Sequence, residues 1–426
     1  MPSQKPKKLI LAAASGAALL VLAIQAPAVA QPQYAPPPPA YTLPVPALAA
    51  SLPGSGAVRL FYERQANRLI WFTLGPRSPA AGDLLSILQV SAVDGVHNSR
   101  QLASAAQQAL QLAQRGDHAA TVEADRTLST AWVAYVQALR RPPAGIVYGT
   151  DAVRPPTGTD RILSELASAA VTGSVRRHVT EVSSVNPLYA AMRATAVGQM
   201  RNWGVIEPGL RTNLERTRAL PARGRFVLVD TASARLLMFE DGRAVDSMKV
   251  IVGKADKQTP MMASMIYYTT FNPYWNVPDE MVRERIAPNV LSLGKSYLRD
   301  KGYEVVLNWA EDAPVLSPDS VDWKAVAAGR AMVRVRQKPG PANSMGKMKF
   351  PFPNDDGIYL HDTPLKELFE ADQRALSAGC VRLEDAERLA RWLLRREPAP
   401  PSREAAAHVR LPQGVPIFLT ALAPRA

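Results

Sequence analysis

Residues 225–253, "RFVLVDTASARLLMFEDGRAVDSMKVIVG", decide how the chain is read. Val, Ile, Leu, Phe and Met crowd two runs joined by Asp241-Gly242, a dipeptide suited to the tight turn of a β-hairpin. "SMIYYTTFNPYWNVP" (264–278) continues in the same vein, and further strands are expected at Met332–Arg336, Gly357–His361 and Val415–Thr420. One clear helix is expected in "EDAERLARWLLRRE" (384–397), with Ala386, Leu389, Ala390, Leu393 and Leu394 on its buried face. Between Pro278 and Gly329 the pattern turns helical and irregular, which predicts an insertion in a mainly antiparallel β region.

Upstream of residue 224 the texture is helical. "SRQLASAAQQALQLAQRG" (99–116) sets Leu102, Ala105, Ala109, Leu110, Leu112 and Ala113 close to one helix face. "TLSTAWVAYVQALRR" (127–141) opens at a Ser/Thr cap and stops at Pro142-Pro143. "NPLYAAMRATAVGQMRNWG" (186–204) starts at a proline and ends at Gly204. His97, His118 and His178 are scattered without metal-ligand spacing. The fold class is therefore α+β and multidomain: an N-terminal all-helical domain over residues 51–222, then a β domain over 223–424.

The N-terminus joins a basic stretch, "MPSQKPKK", to an apolar run and to Ala28-Val29-Ala30, a small-x-small cleavage site. A secretory signal is expected over residues 1–30, with an uncleaved anchor as its alternative. A Pro-rich linker follows over 31–50. Of 426 residues, 47% are hydrophobic and 20% charged, which calls for proper cores. The net charge of +13 comes with no basic run interleaved with aromatics and no zinc-finger spacing, so no nucleic-acid partner is expected.

Export makes the chain's one cysteine, Cys380, informative, because oxidising compartments favour paired cysteines. Cys380 follows Ser377-Ala378-Gly379 and precedes the expected helix, whose positive end would favour thiolate, although Glu384 and Asp385 oppose it. Gly379 permits a sharp turn, and consecutive amides at such a turn can hold an oxyanion. A thiol nucleophile needs a base. His361, at the end of "GIYLHDT", is the candidate; His408 reads as a surface residue.

"YLHDT" (359–363) followed by "SAGCVR" (377–382) resembles the active-site signature of the L,D-transpeptidases with a YkuD-type catalytic domain. That signature runs His, a spacer, Ser/Thr-His-Gly-Cys, an aliphatic residue, then Arg or Asn; here 15 residues separate His361 from Ser377. "VIVGKADKQTP", "FNPYWNVP" and "RQKPGPANSMGKMKFPFPN" resemble the family's large Gram-negative branch. "FYERQANRLIWF", "DGVH", "LSTAWVAYVQALR" and "NPLYAAMR" resemble that branch's scaffold domain. The resemblance covers nearly all of the chain beyond the signal.

The resemblance implies Cys380 as nucleophile and His361 as base, then acid. Asp362 would orient the ring by its carbonyl or side chain. Gly379 and Cys380 would give oxyanion amides, with Ser377 beside them, and Arg382 would hold the loop or a substrate carboxylate. Tyr274, Trp275 and Tyr359 are candidates for substrate contact, with core packing an equal alternative for the first two. Residues 278–350 would form a helical lid. No metal and no organic cofactor is implied.

The implied activity is periplasmic formation of 3→3 peptidoglycan crosslinks between tetrapeptide stems through a cysteine thioester, with carbapenem-type inhibitors expected to acylate Cys380. An L,D-carboxypeptidase, wall-protein attachment or hydrolysis at the same site, and a catalytically weak wall-binding protein remain alternatives. Two departures stand out. Ala378 occupies the place of the signature's second histidine. Only 23 residues lie between Tyr189 and Asn213, too few for the branch's usual peptidoglycan-binding module.

Overall fold

The computed structural model describes residues 50, 52–400 and 406–422. The expected signal and all but the last residue of the Pro-rich linker lie outside the described residues.

Eight helices occupy the first half: α1 (Ser55–Arg64), α2 (Pro79–Val90), α3 (Ser99–Ala113), α4 (His118–Leu139), α5 (Thr159–Val171), α6 (Val175–Ser184), α7 (Pro187–Trp203) and α8 (Pro208–Thr217), counted among the described residues. Their ends follow local chemistry. The Ser78, Asp117 and Asn186 side chains accept the N–H of Ala81, Ala120 and Tyr189, giving three helices a side-chain cap. Pro187 opens α7, and Gly204 closes it in the left-handed conformation at φ 70°. On α3, Leu102, Ala105, Ala106, Ala109 and Ala113 are buried, while Leu110 and Leu112 lie half-buried beside them. The 22-residue α4 is buried on nearly every side through Trp132, Val133, Tyr135 and Val136, so the other helices pack around it.

Among the described residues there are fourteen strands, from β1 (Val147–Tyr148), which leaves the helical half to join the sheet, to β14 (Ala407–Thr420). β2 (Arg225–Asp230), β3 (Arg235–Glu240) and β4 (Arg243–Gly253) form a meander, and its second turn is the expected hairpin turn, with Asp241 and Gly242 both at positive φ. β5 (Met262–Phe271) pairs with β14, which also pairs with β2, so the path of strands returns on itself. The sheet is mixed: β2–β3, β3–β4 and β5–β14 run antiparallel, whereas β14–β2 and β1–β5 run parallel. Strand alternation sets its two faces. Val227 and Val229 enter one core with Leu360 and Leu389, and Phe226 and Leu228 enter another with Leu188 of α7. The second core joins the helices to the sheet.

The insertion differs from its expected form. Residues 275–337 hold a second sheet, ordered β6 (Trp275–Asn276), β9 (Arg334–Gln337), β7 (Tyr303–Val306), β8 (Val315–Leu316), and not helices alone. Short helices, among them α9 (Ala287–Leu293), α10 (Ser296–Asp300) and α11 (Trp323–Ala327), complete it around a core of its own, including Val282, Ile286, Val305, Trp323 and Val335. Its main helical run widens to a π turn at Val282–Ile286, just before Pro288, which has no N–H to donate to the turn behind it. The expected bound at residue 350 is also too late: β10 (Met348–Pro351) belongs to the main sheet.

Candidate active site

The register of four strands builds the site. β10 pairs with β5 through Lys349 and Thr270, and with β11 (Tyr359–His361) through Lys349 and His361. β11 runs parallel to β13 (Val381–Leu383), with His361 opposite Arg382 and Leu360 opposite Val381. Residues opposite one another share a face, and neighbours along a strand alternate. Leu360 and Val381 therefore point into the core, both fully buried, while Lys349, His361 and Arg382 form one row on the other face. Tyr359 lies two residues before His361, and Cys380 two before Arg382, so both join that face.

Cys380 does not stand at a helix N-terminus, contrary to expectation. β13 intervenes, and the helix, α12 (Ala386–Leu394), begins only after it. Asp385 caps that helix, accepting the Arg388 N–H at 2.9 Å, so the positive end of the helix is satisfied away from the thiol. The three-residue strand is too short for its alternation to be read against the helical pattern that follows. The five residues expected on the buried face of α12 are all buried.

The turn ahead of Cys380 is pinned on both sides. Ser377 Oγ donates to Cys380 O at 2.6 Å and accepts the Gly379 N–H at 3.1 Å. The Gly379 amide, expected at the oxyanion, is thus occupied within the turn. Gly379 has φ 117°, a region that L side chains rarely adopt, and a Cβ there would lie 3.1 Å from Ile358 Cδ1. Thr259 Oγ1 donates to Gly379 O at 2.7 Å and accepts the Gly253 N–H at 2.9 Å, tying the turn to the end of β4.

His361 is oriented by its neighbour's carbonyl. Its Nδ1 lies 2.5 Å from Asp362 O; a carbonyl only accepts, so Nδ1 carries the proton and Nε2 is left as the basic nitrogen. The Asp362 side chain holds the backbone there. Oδ1 meets Lys366 Nζ at 2.7 Å, and Oδ2 accepts the Lys347 N–H at 2.8 Å. Gly346 makes room for this carboxylate, since a Cβ at residue 346 would lie 2.3 Å from Oδ2.

The electrostatics keep His361 and Cys380 neutral at rest. Burial, aided by the charges of Arg382 and Lys349, lowers the His361 imidazole to about 3. Burial pushes the Cys380 thiol up, opposed by hydrogen bonds from the Tyr359 N–H and phenol and by the charges of Lys349 and Arg382. Tyr359 is itself raised, by burial first and then by Cys380. The half-buried thiol makes its hydrogen bond to Gly357 O at 3.7 Å. A neutral thiol beside a neutral imidazole with a free Nε2 can transfer a proton when a substrate draws the two groups together.

Of the residues singled out from sequence, Cys380, His361, Tyr359 and Arg382 share one sheet face, with Asp362, Ser377 and Gly379 supporting them. Tyr274 and Trp275 have other partners. The Arg336 guanidinium lies 4.2 Å over the Tyr274 ring, and Trp275 packs beside Tyr303 in the small sheet. His408 is exposed as expected, with Nδ1 3.0 Å from Thr270 Oγ1. Sequence reasoning missed Lys349, Thr259 and Gly346. Lys349 alone carried a readable signal: a charge between Met348 and Phe350 on an alternating strand.

Residues 224–400 match the YkuD family model, described as the L,D-transpeptidase catalytic domain, and residues 56–195 match the model of a scaffold domain. A putative L,D-transpeptidase of Haemophilus influenzae is 35% identical over 190 residues, which cover 45% of this chain and only 38% of that protein's length. Among solved structures, an L,D-transpeptidase from Mycobacterium smegmatis is 12% identical over 47% of this chain and 60% of its own, with a TM-score of 0.24. LD transpeptidase LdtMt1 in complex with imipenem is also 12% identical, over 47% of this chain and 60% of its own, at a TM-score of 0.22.

Proposed function

We propose that this chain, which carries a YkuD-type L,D-transpeptidase catalytic domain behind a scaffold domain, forms 3→3 crosslinks in peptidoglycan through a thioester on Cys380. The observation that carries the reading is the β11–β13 register, which sets His361, its Nδ1 tied to Asp362 O, on one sheet face with Cys380.

His361 Nε2 takes the thiol proton as Sγ attacks the carbonyl between the third, diamino acid residue and the terminal D-Ala of a tetrapeptide stem. The tetrahedral intermediate collapses, the C–N bond breaks, and His361 gives its proton to the departing D-Ala amine. The side-chain amine of a second stem attacks the thioester and passes a proton to His361. The C–S bond breaks, and the thiolate recovers that proton. Carbapenems, whose strained carbonyl is open to the same attack, acylate Cys380.

The small subdomain over 275–337 serves as the lid. Its Arg285 is close enough for its charge to act on Arg382, and its Glu280 pairs with Lys257 at 2.5 Å beside the β4 end of the site. The N-terminal signal directs the chain to the periplasm, where peptidoglycan is met.

The test is incubation with tetrapeptide muropeptides followed by mass spectrometry, with Cys380→Ala alongside. Crosslinked dimers and an acylated Cys380, both absent in the variant, are expected. Tripeptide without dimers would replace transfer by carboxypeptidase action. Unchanged muropeptides and an unmodified thiol would leave a wall-binding protein.

A further inference from the structure

Two half-buried cations stand on the sheet face of Cys380 and His361 without an acidic partner among the described residues. Lys349 and Arg382 lie on either side of His361 in one cross-strand row. The charged groups acting on them are Cys380 for Lys349, and Cys380 and Arg285 for Arg382. Similarly sheltered cations elsewhere are neutralised: Arg193 by Asp94, Arg336 by Glu304 and Arg140 by Glu165. The one carboxylate of the cluster, Asp362, is taken by Lys366 and the Lys347 amide.

Lys349 is held in place as well as unpaired. Its ammonium lies 3.9 Å from the centroid of the Tyr359 ring, an attraction that fixes a cation without cancelling its charge. Tyr359, two residues before His361 on β11, shares the sheet face of Cys380, which precedes Arg382 on β13. A fixed ammonium, an aromatic ring and a sulfur are thus assembled by three neighbouring strands, β10, β11 and β13. The sulfur is the member of this set that turns negative when nucleophilic attack begins.

We propose that Lys349 is a positioning residue of acyl transfer: its ammonium, fixed against Tyr359, supplies the counter-charge that the Cys380 sulfur needs when it gives up its proton. The consequence for turnover rests on the function proposed above; the consequence for thiol ionisation rests on the geometry alone. The titratable and charged groups facing Cys380 are Tyr359 and His361 from β11, Lys349 from β10 and Arg382 from β13, with Arg285 of the small subdomain acting on Arg382.

The experiment is iodoacetamide alkylation of Cys380, the one thiol in the chain, followed across pH in the full chain. Lys349→Met and Lys349→Gln are compared with Lys349→Arg and the parent. Both neutral variants should raise the midpoint by about one unit and slow alkylation at neutral pH about tenfold, and Lys349→Arg should restore most of it. Circular dichroism identifies the variants that fold, and two neutral replacements guard against one failing. In the same variants the His361 imidazole, followed by NMR, should titrate higher, because a repelling charge is gone. Superposed profiles for the parent and a folded neutral variant would overturn the proposal and leave Lys349 free to hold a substrate carboxylate. Since alkylation needs no peptidoglycan, a shifted profile in a protein inactive on muropeptides would defeat the crosslinking reading and keep this one.

Discussion

The helical region and the sheet each bury an ionisable side chain near a tyrosine, and they satisfy it in opposite ways. In the helical region Asp125 of α4, fully buried, accepts the Tyr62 hydroxyl and the N–H groups of Ile70, Trp71 and Phe72. Every donor in reach converges on it, and the result ties α1 and the segment after it to the central helix. In the cleft, His361 has one bonded nitrogen and one basic nitrogen free, and two cations beside it lack a carboxylate. Saturated polar clusters rigidify a core; an unsaturated one leaves capacity for a substrate.

The contrast is broken most directly at Asp125. Asp125→Ala would strip the N–H groups of Ile70, Trp71 and Phe72 of their acceptor, while the Tyr62 hydroxyl keeps Ser129 Oγ at 2.8 Å; at ~1–3 kcal/mol for each N–H left dry, a loss of at least about 3 kcal/mol is expected in urea unfolding. The alkylation profile of Cys380 in the folded variant should stay unchanged. A loss under about 1 kcal/mol would show that water or a shifted side chain replaces the carboxylate, and that the cluster is not saturated in the sense argued.

An effect spread over several pH units should appear in the acid stability of the candidate site. The folded imidazole of His361 stays neutral down to about 3, whereas in the unfolded chain it takes up a proton near its ordinary value of 6.5. Unfolding therefore binds a proton between these limits, and stability falls as pH drops from 6.5 toward 3, by at most ~1.4 kcal/mol per pH unit. His361→Gln should lose this component, flattening the unfolding midpoint against pH over that window. An unchanged slope would mean that the ring is charged or open to water in the fold.

The smallest effect is expected at Ala378, which is exposed on the turn before Cys380. With Nε2 of His361 free, Ala378→His should raise turnover on muropeptides by less than about tenfold, well under the ~10²–10⁴ of a true acid–base group. A gain of about a hundredfold or more would show that His361 does not suffice as the base.

Much of the fold could be read locally. The Asp241-Gly242 turn, the Asn186-Pro187 start and Gly204 end of α7, and the buried stripe of α12 each depend on residues a few positions apart. What escaped were short elements and distant pairings. Strand β13, three residues long, hides between a turn and a helix, so the sequence alone sets Cys380 under a helix dipole that Asp385 in fact receives. The two- to four-residue strands of the small subdomain carry too little alternation to stand out, and that segment read as helical. Lys349 stood in plain view in "GKMKFPFPN" but had no meaning until β10 was laid against β11.

Residue types and short-range spacing were enough to assign helices to the first half and strands to the second, and to single out Cys380 and His361. The company those two keep was set by long-range pairing. Which face a strand residue occupies follows from alternation, but which residue stands opposite it depends on register between segments far apart in the chain. The β5–β10–β11–β13 register was chosen by burying Phe350, Leu360 and Val381 together on one face. The same choice turned Lys349, His361 and Arg382 toward the cleft.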